Sequence, residues 1–156
     1  MVKIDSVIGS LFVYASESGV TAVNFEERSV DFGAISRGAM AHEERAAKQL
    51  DEYFAGLRKR FELSLDLQGT DFQLQAWRVL QDIEYGATIS YAEEARRMGK
   101  PRAVRAVGSA NGRNPIPIII PCHRVVASGG GLGGYAGGLD KKTQLLRLEA
   151  AAVAIA

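Results

Sequence analysis

The sequence predicts an α/β chain of the α+β kind, with a small N-terminal α/β domain over residues 1–67 and a mainly helical C-terminal domain over residues 70–156. Three observations carry this reading. Residues 1–67 combine short apolar alternations with one amphipathic stretch of helical period. Gln68-Gly69 punctuates the chain, and helix-start signatures follow at Thr70 and Ser90. Residues 115–126, Pro-Ile-Pro-Ile-Ile-Ile-Pro-Cys-His-Arg-Val-Val, then place the one cysteine, Cys122, and one of the two histidines, His123, at the end of an apolar run.

In the first domain, residues 3–7, 11–16 and 19–26 read as short strands, with Leu11, Val13 and Ala15 alternating against Phe12, Tyr14 and Ser16. Turn-like breaks fall at Gly9-Ser10 and Glu17-Ser18-Gly19. Residues 27–40 are polar and contain glycine, so a loop is expected. Over 41–57, Ala46, Leu50, Tyr53, Phe54 and Leu57 recur at helical spacing with charges opposite them. Residues 61–67, Phe-Glu-Leu-Ser-Leu-Asp-Leu, alternate strictly and read as a strand. Nothing in this domain carries chemistry.

In the second domain, Thr70-Asp71-Phe72-Gln73 has the form of a capping box. The helix it opens sets Phe72, Ala76, Trp77 and Leu80 on one side, with Trp77 as a core anchor, and ends near Gly86. Ser90-Tyr91-Ala92-Glu93 is a second capping box, opening a short helix through Met98. Gly99 stops that helix, and Pro101 suits the first turn of the next, over 101–110. Two short helices joined by a tight glycine turn make a helix-turn-helix at about 90–110, a pattern shared by nucleic-acid readers and purely structural hairpins. The second helix is rich in Ala, Gly and Ser, with Arg105 the one long polar side chain in its middle. Such a surface suits a narrow groove or a gap in the base stack better than base-by-base reading.

The net charge of +1 conceals an asymmetry: residues 1–69 carry 8 basic and 11 acidic groups, residues 70–156 carry 11 and 7. Arg96, Arg97, Lys100, Arg102, Arg105 and Arg113 form a basic cluster that suits a polyanion, but the modest total argues against attachment to nucleic acid by charge alone. No run is long and apolar enough for a membrane helix, and the N-terminus is too weakly apolar for a signal peptide. One cysteine excludes an internal disulfide and two histidines leave no structural zinc cluster, so no metal and no cofactor is expected. A reducing, cytoplasm-like compartment is the default for such a chain.

Taken alone, Cys122 reads equally as an inert buried thiol or as a nucleophile. The proline-flanked isoleucine run reads as a buried extended segment with a bend at Pro121. A thiol with its ordinary pKa of ~8.5 is only a few per cent ionised at neutral pH and needs a base or a stabilising field. His123 is the obvious base, but neighbours in an extended segment point to opposite faces, so their contact needs a bend or a bridging water. The glycine-dense stretch 128–138 lacks the Gly-Lys-Ser/Thr of a phosphate loop and reads as a binding loop.

Together, Tyr91, Arg105-Ala106-Val107-Gly108, Asn114-Pro115, Pro121-Cys122-His123-Arg124-Val125-Val126, Gly134-Tyr135, Gly137-Gly138-Leu139 and Glu149 resemble the O6-alkylguanine-DNA alkyltransferase family over residues 70–149. The resemblance implies a ribonuclease-H-like first domain and direct-reversal DNA repair, in which an alkyl group moves once and irreversibly from O6-alkylguanine to Cys122. O4-alkylthymine is the second candidate substrate. It implies double-stranded DNA as the partner, approached from the minor groove with the target nucleotide flipped out. It also implies a monomer, with cooperative assembly on DNA left open, in the cytoplasm or, in a eukaryote, the nucleus.

Residue by residue, the resemblance makes Cys122 the nucleophile and alkyl acceptor, His123 a water-mediated base, Glu149 its orienter, and Tyr91 the residue that helps turn out the nucleotide and donates a proton. Arg105 would fill the gap left by the flipped base, with Arg102 beside it on DNA. Ala103, Ala106, Gly108 and Ala110 would allow close groove approach. Val125, Tyr135 and Ala136 would form the base pocket, guanine being recognised largely by main-chain groups at Cys122, Val125, Tyr91 and Ala136, and Asn114 would tie the helix-turn-helix to the cysteine loop. Ala136 stands where some relatives carry serine, so a side-chain contact there is lost and a main-chain contact survives. Arg124 reads as a structural ion-pair partner. Two readings of other classes stand against this one. A non-catalytic lesion-binding relative would replace the nucleophile, and a Cys-His hydrolase leaves Arg105 and the helix-turn-helix unexplained.

Overall fold

The computed structural model describes residues 1–29 and 33–155, and the chain divides into two compact units, Met1–Leu67 and Gln68–Ala156. The first unit is an antiparallel meander in the order β1-β2-β3, from β1 (Val2–Ser6), β2 (Gly9–Ala15) and β3 (Val20–Asn24), with α1 (Arg37–Phe54) packed on it. Register runs from Val2 opposite Val13 to Ser6 opposite Gly9, and from Phe12 opposite Asn24 to Ala15 opposite Val20. Both faces of β2 are covered. Phe12, Tyr14 and Ala22 cluster with Met1 on one face, while Leu11 and Val13, fully buried, point to the other.

Three expectations for this unit are corrected. The loop expected over 27–40 ends earlier, because Ser36 caps α1 by accepting from the Ala39 amide at 3.0 Å; residues 30–32 lie outside the described residues. The helix stops at Phe54, not Leu57, where Gly56 takes φ +76° and its N–H reaches the Tyr53 carbonyl. Residues 61–67 are not a strand. Exposure alternates over 61–65 and then stops, with 65–67 all half-buried, and only Leu65 bridges, parallel to Val20. The side-chain amide of Gln49 takes both backbone bonds of Glu62, accepting from its N–H at 2.9 Å and donating to its carbonyl at 3.1 Å. A side chain from α1 thus satisfies the backbone there instead of a ladder.

The second unit opens with α2 (Asp71–Gln81) and its complete capping box: Gln73 N–H to Thr70 Oγ1 at 3.1 Å, and Thr70 N–H to Gln73 Oε1 at 3.0 Å. It then runs through β4 (Ile89–Ser90), α3 (Tyr91–Arg97), α4 (Val104–Gly112), a 3-10 turn at Cys122–Arg124, β5 (Val125–Val126) and α5 (Leu139–Ile155). Ala76, Ala95, Met98, Val107 and Ala110 form the core between α2, α3 and α4. Trp77 is buried beside them and its Nε1–H donates to the Ala110 carbonyl at 2.9 Å, which fixes α2 to the end of the helix-turn-helix.

Helix boundaries again shift for local reasons. At α3 only the Ser90 half of the second capping box forms, because the Glu93 carboxylate turns to Arg96 and Arg97. Pro101 is not in the first turn of α4. It sits in a turn closed by Ala103 N–H to Lys100 O at 2.9 Å, after Gly99 at φ +73°, and α4 begins at Val104. Residues 116–124 are buried as expected but are not an extended run. Ile120 N–H folds back onto the Ile116 carbonyl, Ile118 takes φ +75°, and the cysteine lies in a helical turn. β4 and β5 pair in parallel, Ile89 with Val125 and Ser90 with Val126, which ties the start of the helix-turn-helix to the segment leaving the cysteine.

Candidate active site

Tyr91, Val104, Arg105, Gly108, Asn111, Gly112, Cys122, Gly134, Tyr135 and Ala136 line one cavity of about 560 Å³, a volume suited to a small planar ligand. α3 supplies its first residue, the exposed flank of α4 supplies Arg105 and Gly108, and the glycine-dense loop supplies the far wall. Gly133 is needed there: at φ +73° a Cβ would lie 2.5 Å from the Tyr91 hydroxyl. That hydroxyl accepts from the Gly134 N–H at 3.2 Å, so Tyr91 is tied to the loop.

Cys122 is 7% exposed at the cavity. Burial pushes its thiol up to about 11, opposed by the Asn114 amide and the Lys142 charge. The 3-10 turn sends His123 away into the interior, where its Nε2 lies 2.6 Å from Glu149 Oε2. Burial opposes charging of the imidazole, so its acid lies below the usual range even though Glu149 pulls the other way. Burial also disfavours the Glu149 anion, but bonds from His123 and Arg124 outweigh it and hold the carboxyl at about 2. Arg124 Nε and Nη2 reach the two Glu149 oxygens at 2.8 and 3.1 Å, and the Gly86 N–H adds a bond at 3.1 Å. Against a carboxylate so held, neutral His123 carries its proton on Nε2 and leaves Nδ1 a free lone pair; Nδ1 is buried with no protein partner.

Asn114, two residues past α4, clamps the cysteine loop: its Nδ2 donates to the Ile120 carbonyl at 2.8 Å and its Oδ1 accepts from the Ile116 N–H at 2.9 Å. These bonds hold Ile118 in a backbone region that costs a β-branched residue on the order of 1–3 kcal/mol. Val125 is fully buried behind the cavity, its N–H bonded to the Cys122 carbonyl and its own carbonyl to Lys142 Nζ. Arg102, Arg105 and Ala106 are exposed on the turn and α4, Ala103 is half-buried as the α4 N-cap, and Gly108 faces the Tyr91 ring. Ala110 corrects the sequence expectation: at 3% exposure it packs against α2 and cannot meet a groove.

Two residues escaped the sequence reading. Lys142 beside Lys141 looks like a solvated basic pair, yet its side chain is fully buried, donating to the Val125 carbonyl at 2.6 Å and the Gly134 carbonyl at 3.1 Å. It joins the strand after the cysteine to the cavity loop and places a cation near the thiol. The available signal was a stripe, Lys142, Leu145 and Glu149, on one face of α5. Glu94, fully buried against Asn111, is the other. Among the described residues no group of three or more His, Cys, Asp or Glu is placed to hold a metal ion, and no helix is long and apolar enough to cross a membrane.

Fold and site define a helix-turn-helix protein whose second helix borders a cavity with a cysteine in its wall. The DNA-binding domain of 6-O-methylguanine DNA methyltransferase matches residues 71–151, and that family's ribonuclease-like domain matches residues 2–67. A methylated-DNA–protein-cysteine methyltransferase of Methanosarcina barkeri is 47% identical over 148 residues, covering 94% of each chain. One from Mycolicibacterium paratuberculosis is 45% identical over 94% of this chain and 89% of its own. The crystal structure of Mycobacterium tuberculosis OGT in complex with DNA superposes with a TM-score of 0.85 at 45% identity, covering 96% of this chain and 92% of that one. The chain belongs to the 6-O-methylguanine DNA methyltransferase family.

Proposed function

We propose that this protein repairs double-stranded DNA by direct reversal, moving the alkyl group of O6-alkylguanine onto Cys122 in a single turnover. The observation that carries the proposal is the placement of Cys122 in the wall of a cavity bordered by α4, with His123, Glu149 and Arg124 joined in one buried network behind it. The O6 atom lies inside the base stack, so the damaged nucleotide is turned out into the cavity. Exposed Ala106 and the small Gly108 let α4 approach the minor groove, and Arg105, at the mouth, fills the space the base leaves. The Tyr91 hydroxyl helps turn the nucleotide and donates toward the base.

The thiol is protonated at rest, so its proton passes to His123 Nδ1 through a bridging water as Sγ attacks the alkyl carbon. The S–C bond forms, the C–O6 bond breaks, and its electron pair returns to guanine, which regains its N1 proton. The net movement is one proton from Sγ to guanine and one alkyl group to Sγ. Glu149 holds the imidazole in the tautomer that can accept, and Arg124 keeps Glu149 ionised. The thioether has no bond for water to cleave, so the protein acts once; we place it as a monomer in a reducing compartment, which keeps the thiol free.

Incubation with duplex DNA carrying O6-methylguanine is expected to add one methyl mass to the Cys122 peptide, with no more than one methyl transferred per chain. Repeated turnover, or methyl removal by a Cys122→Ala protein, overturns the proposal.

A further inference from the structure

Glu94 is fully buried between α3 and α4, with its Oε2 accepting from Asn111 Nδ2 at 2.7 Å. Its other oxygen, Oε1, and the Oδ1 of Asn111 are both buried acceptors without a donor. Two orphaned acceptors on side chains already joined by one bond are both satisfied if the carboxyl is an acid, its O–H at Oε1 donating to Asn111 Oδ1. Asn111 lines the cavity that holds Cys122, so this pair stands directly behind the proposed lesion site. We infer that Glu94 is a positioning residue, carried as the neutral acid, which closes a two-bond ring with Asn111, fixes that wall of the cavity and keeps a second negative charge away from Cys122. The inference rests on the alkyl-transfer reading of the site.

The surroundings favour the acid. Burial pushes the Glu94 carboxyl up to about 7, with the Asn111 bond pulling it down. The titratable groups its charge reaches are Cys122 from the 3-10 turn and Tyr91 from its own helix, and both are pushed further up by it. The core faces that α2 and α4 turn to α3 are apolar, Ala76, Val107 and Ala110, while their charged residues Asp71, Arg78 and Arg105 are exposed. β4 and β5, Ile89-Ser90 and Val125-Val126, carry no ionisable side chain. No cation is therefore placed to hold a Glu94 anion among the described residues of these elements. Ionisation breaks the Oε1–Oδ1 half of the ring and sets an anion against the developing thiolate.

Glu94→Gln tests this, because a glutamine amide can make both bonds to Asn111 without ionising. Single-turnover methyl transfer is measured for both proteins from about pH 6 to about pH 9, and Glu94 of the wild-type protein is titrated by carboxyl-carbon NMR. The intrinsic rise of thiolate with pH is common to both proteins, so the ratio of rates isolates what the Glu94 charge adds to it. The ratio of variant to wild type is expected to rise about threefold or more across that range, with the Glu94 resonance titrating well above the ordinary glutamate value of ~4.3. A flat ratio, or a Glu94 resonance titrating in the ordinary range, overturns the inference. Absence of transfer by either protein at every pH sinks the alkyl-transfer reading instead, and the NMR titration, which needs no variant, still decides the state of the pair.

Discussion

At Cys122, burial and chemistry pull in opposite directions. The cavity shields the thiol and raises its pKa, so the resting nucleophile is protonated and the base behind it becomes decisive. His123→Ala is therefore expected to slow methyl transfer about a hundredfold or more while leaving affinity for DNA unchanged. Single-turnover kinetics and fluorescence anisotropy on a labelled duplex read the two quantities separately, and an unaltered rate would remove His123 from the mechanism. Glu149→Gln removes the charge that Arg124 and His123 both face, and leaves a buried guanidinium without its anion. A loss of about 3–5 kcal/mol in urea unfolding is expected, because breaking a buried pair strands its partner. Cys122 and His123 stood out in the sequence because thiol, imidazole and guanidinium crowd into an apolar run, whereas Glu149 was reached only through the family resemblance. Lys142 and Glu94 did not stand out, since each sits beside a like-charged neighbour and a charge pair ordinarily marks a solvated face.

The elements divide the work between DNA and chemistry. In the proposed reaction α4 meets the minor groove with a small-residue flank and one guanidinium, so Arg105→Ala should slow repair in duplex DNA while sparing reaction with free O6-benzylguanine. Equal loss on both substrates would argue that Arg105 shapes the cavity itself. The cysteine loop is clamped by one side chain, that of Asn114. Asn114→Ala removes both clamping bonds and frees Ile118 from its left-handed backbone, and should lower stability by about 2–3 kcal/mol with a parallel fall in methyl transfer. A normal thermal midpoint with slowed transfer would mean that Asn114 acts on the thiol alone. Helices α1 to α4 were readable from period and caps, but their ends moved: α1 at Ser36 and Gly56, α2 to Gln81 instead of near Gly86, and α4 at both ends, starting after the Lys100–Ala103 turn and running to Gly112. Residues 61–67 were misread because alternation reports which side is buried and not which group satisfies the backbone.

For the molecule as a whole, three buried ionisable groups set how stability follows pH. Glu149, held down to about 2, contributes stability that is present above the unfolded value of 4.5 and lost as pH falls toward 2. His123 must stay neutral, so folding also weakens below 6.5, where the unfolded histidine takes up a proton. Glu94 has the opposite sign: raised to about 7, its contribution is complete below 4.5 and lost as pH rises through 7. Glu94→Gln should therefore gain on the wild type in urea midpoint as pH climbs from 4.5 to 7, with the difference level above that range. A constant difference at every pH would show that Glu94 is ionised in the folded protein.

The sequence by itself determined the two-domain division, the helix-turn-helix and the residue types of the reaction, because caps, turns and hydrophobic period act over a few neighbouring residues. Only the tertiary structure decided which groups meet: that the turn at Cys122 sends His123 to Glu149 and Arg124, that Lys142 is buried beside the thiol, that Ala110 faces the core, and that Glu94 stands behind the cavity. The polar contacts among these join residues 17 to 26 positions apart, and Ala110 meets α2 across 33. Their energy comes from shared burial, which no local pattern records.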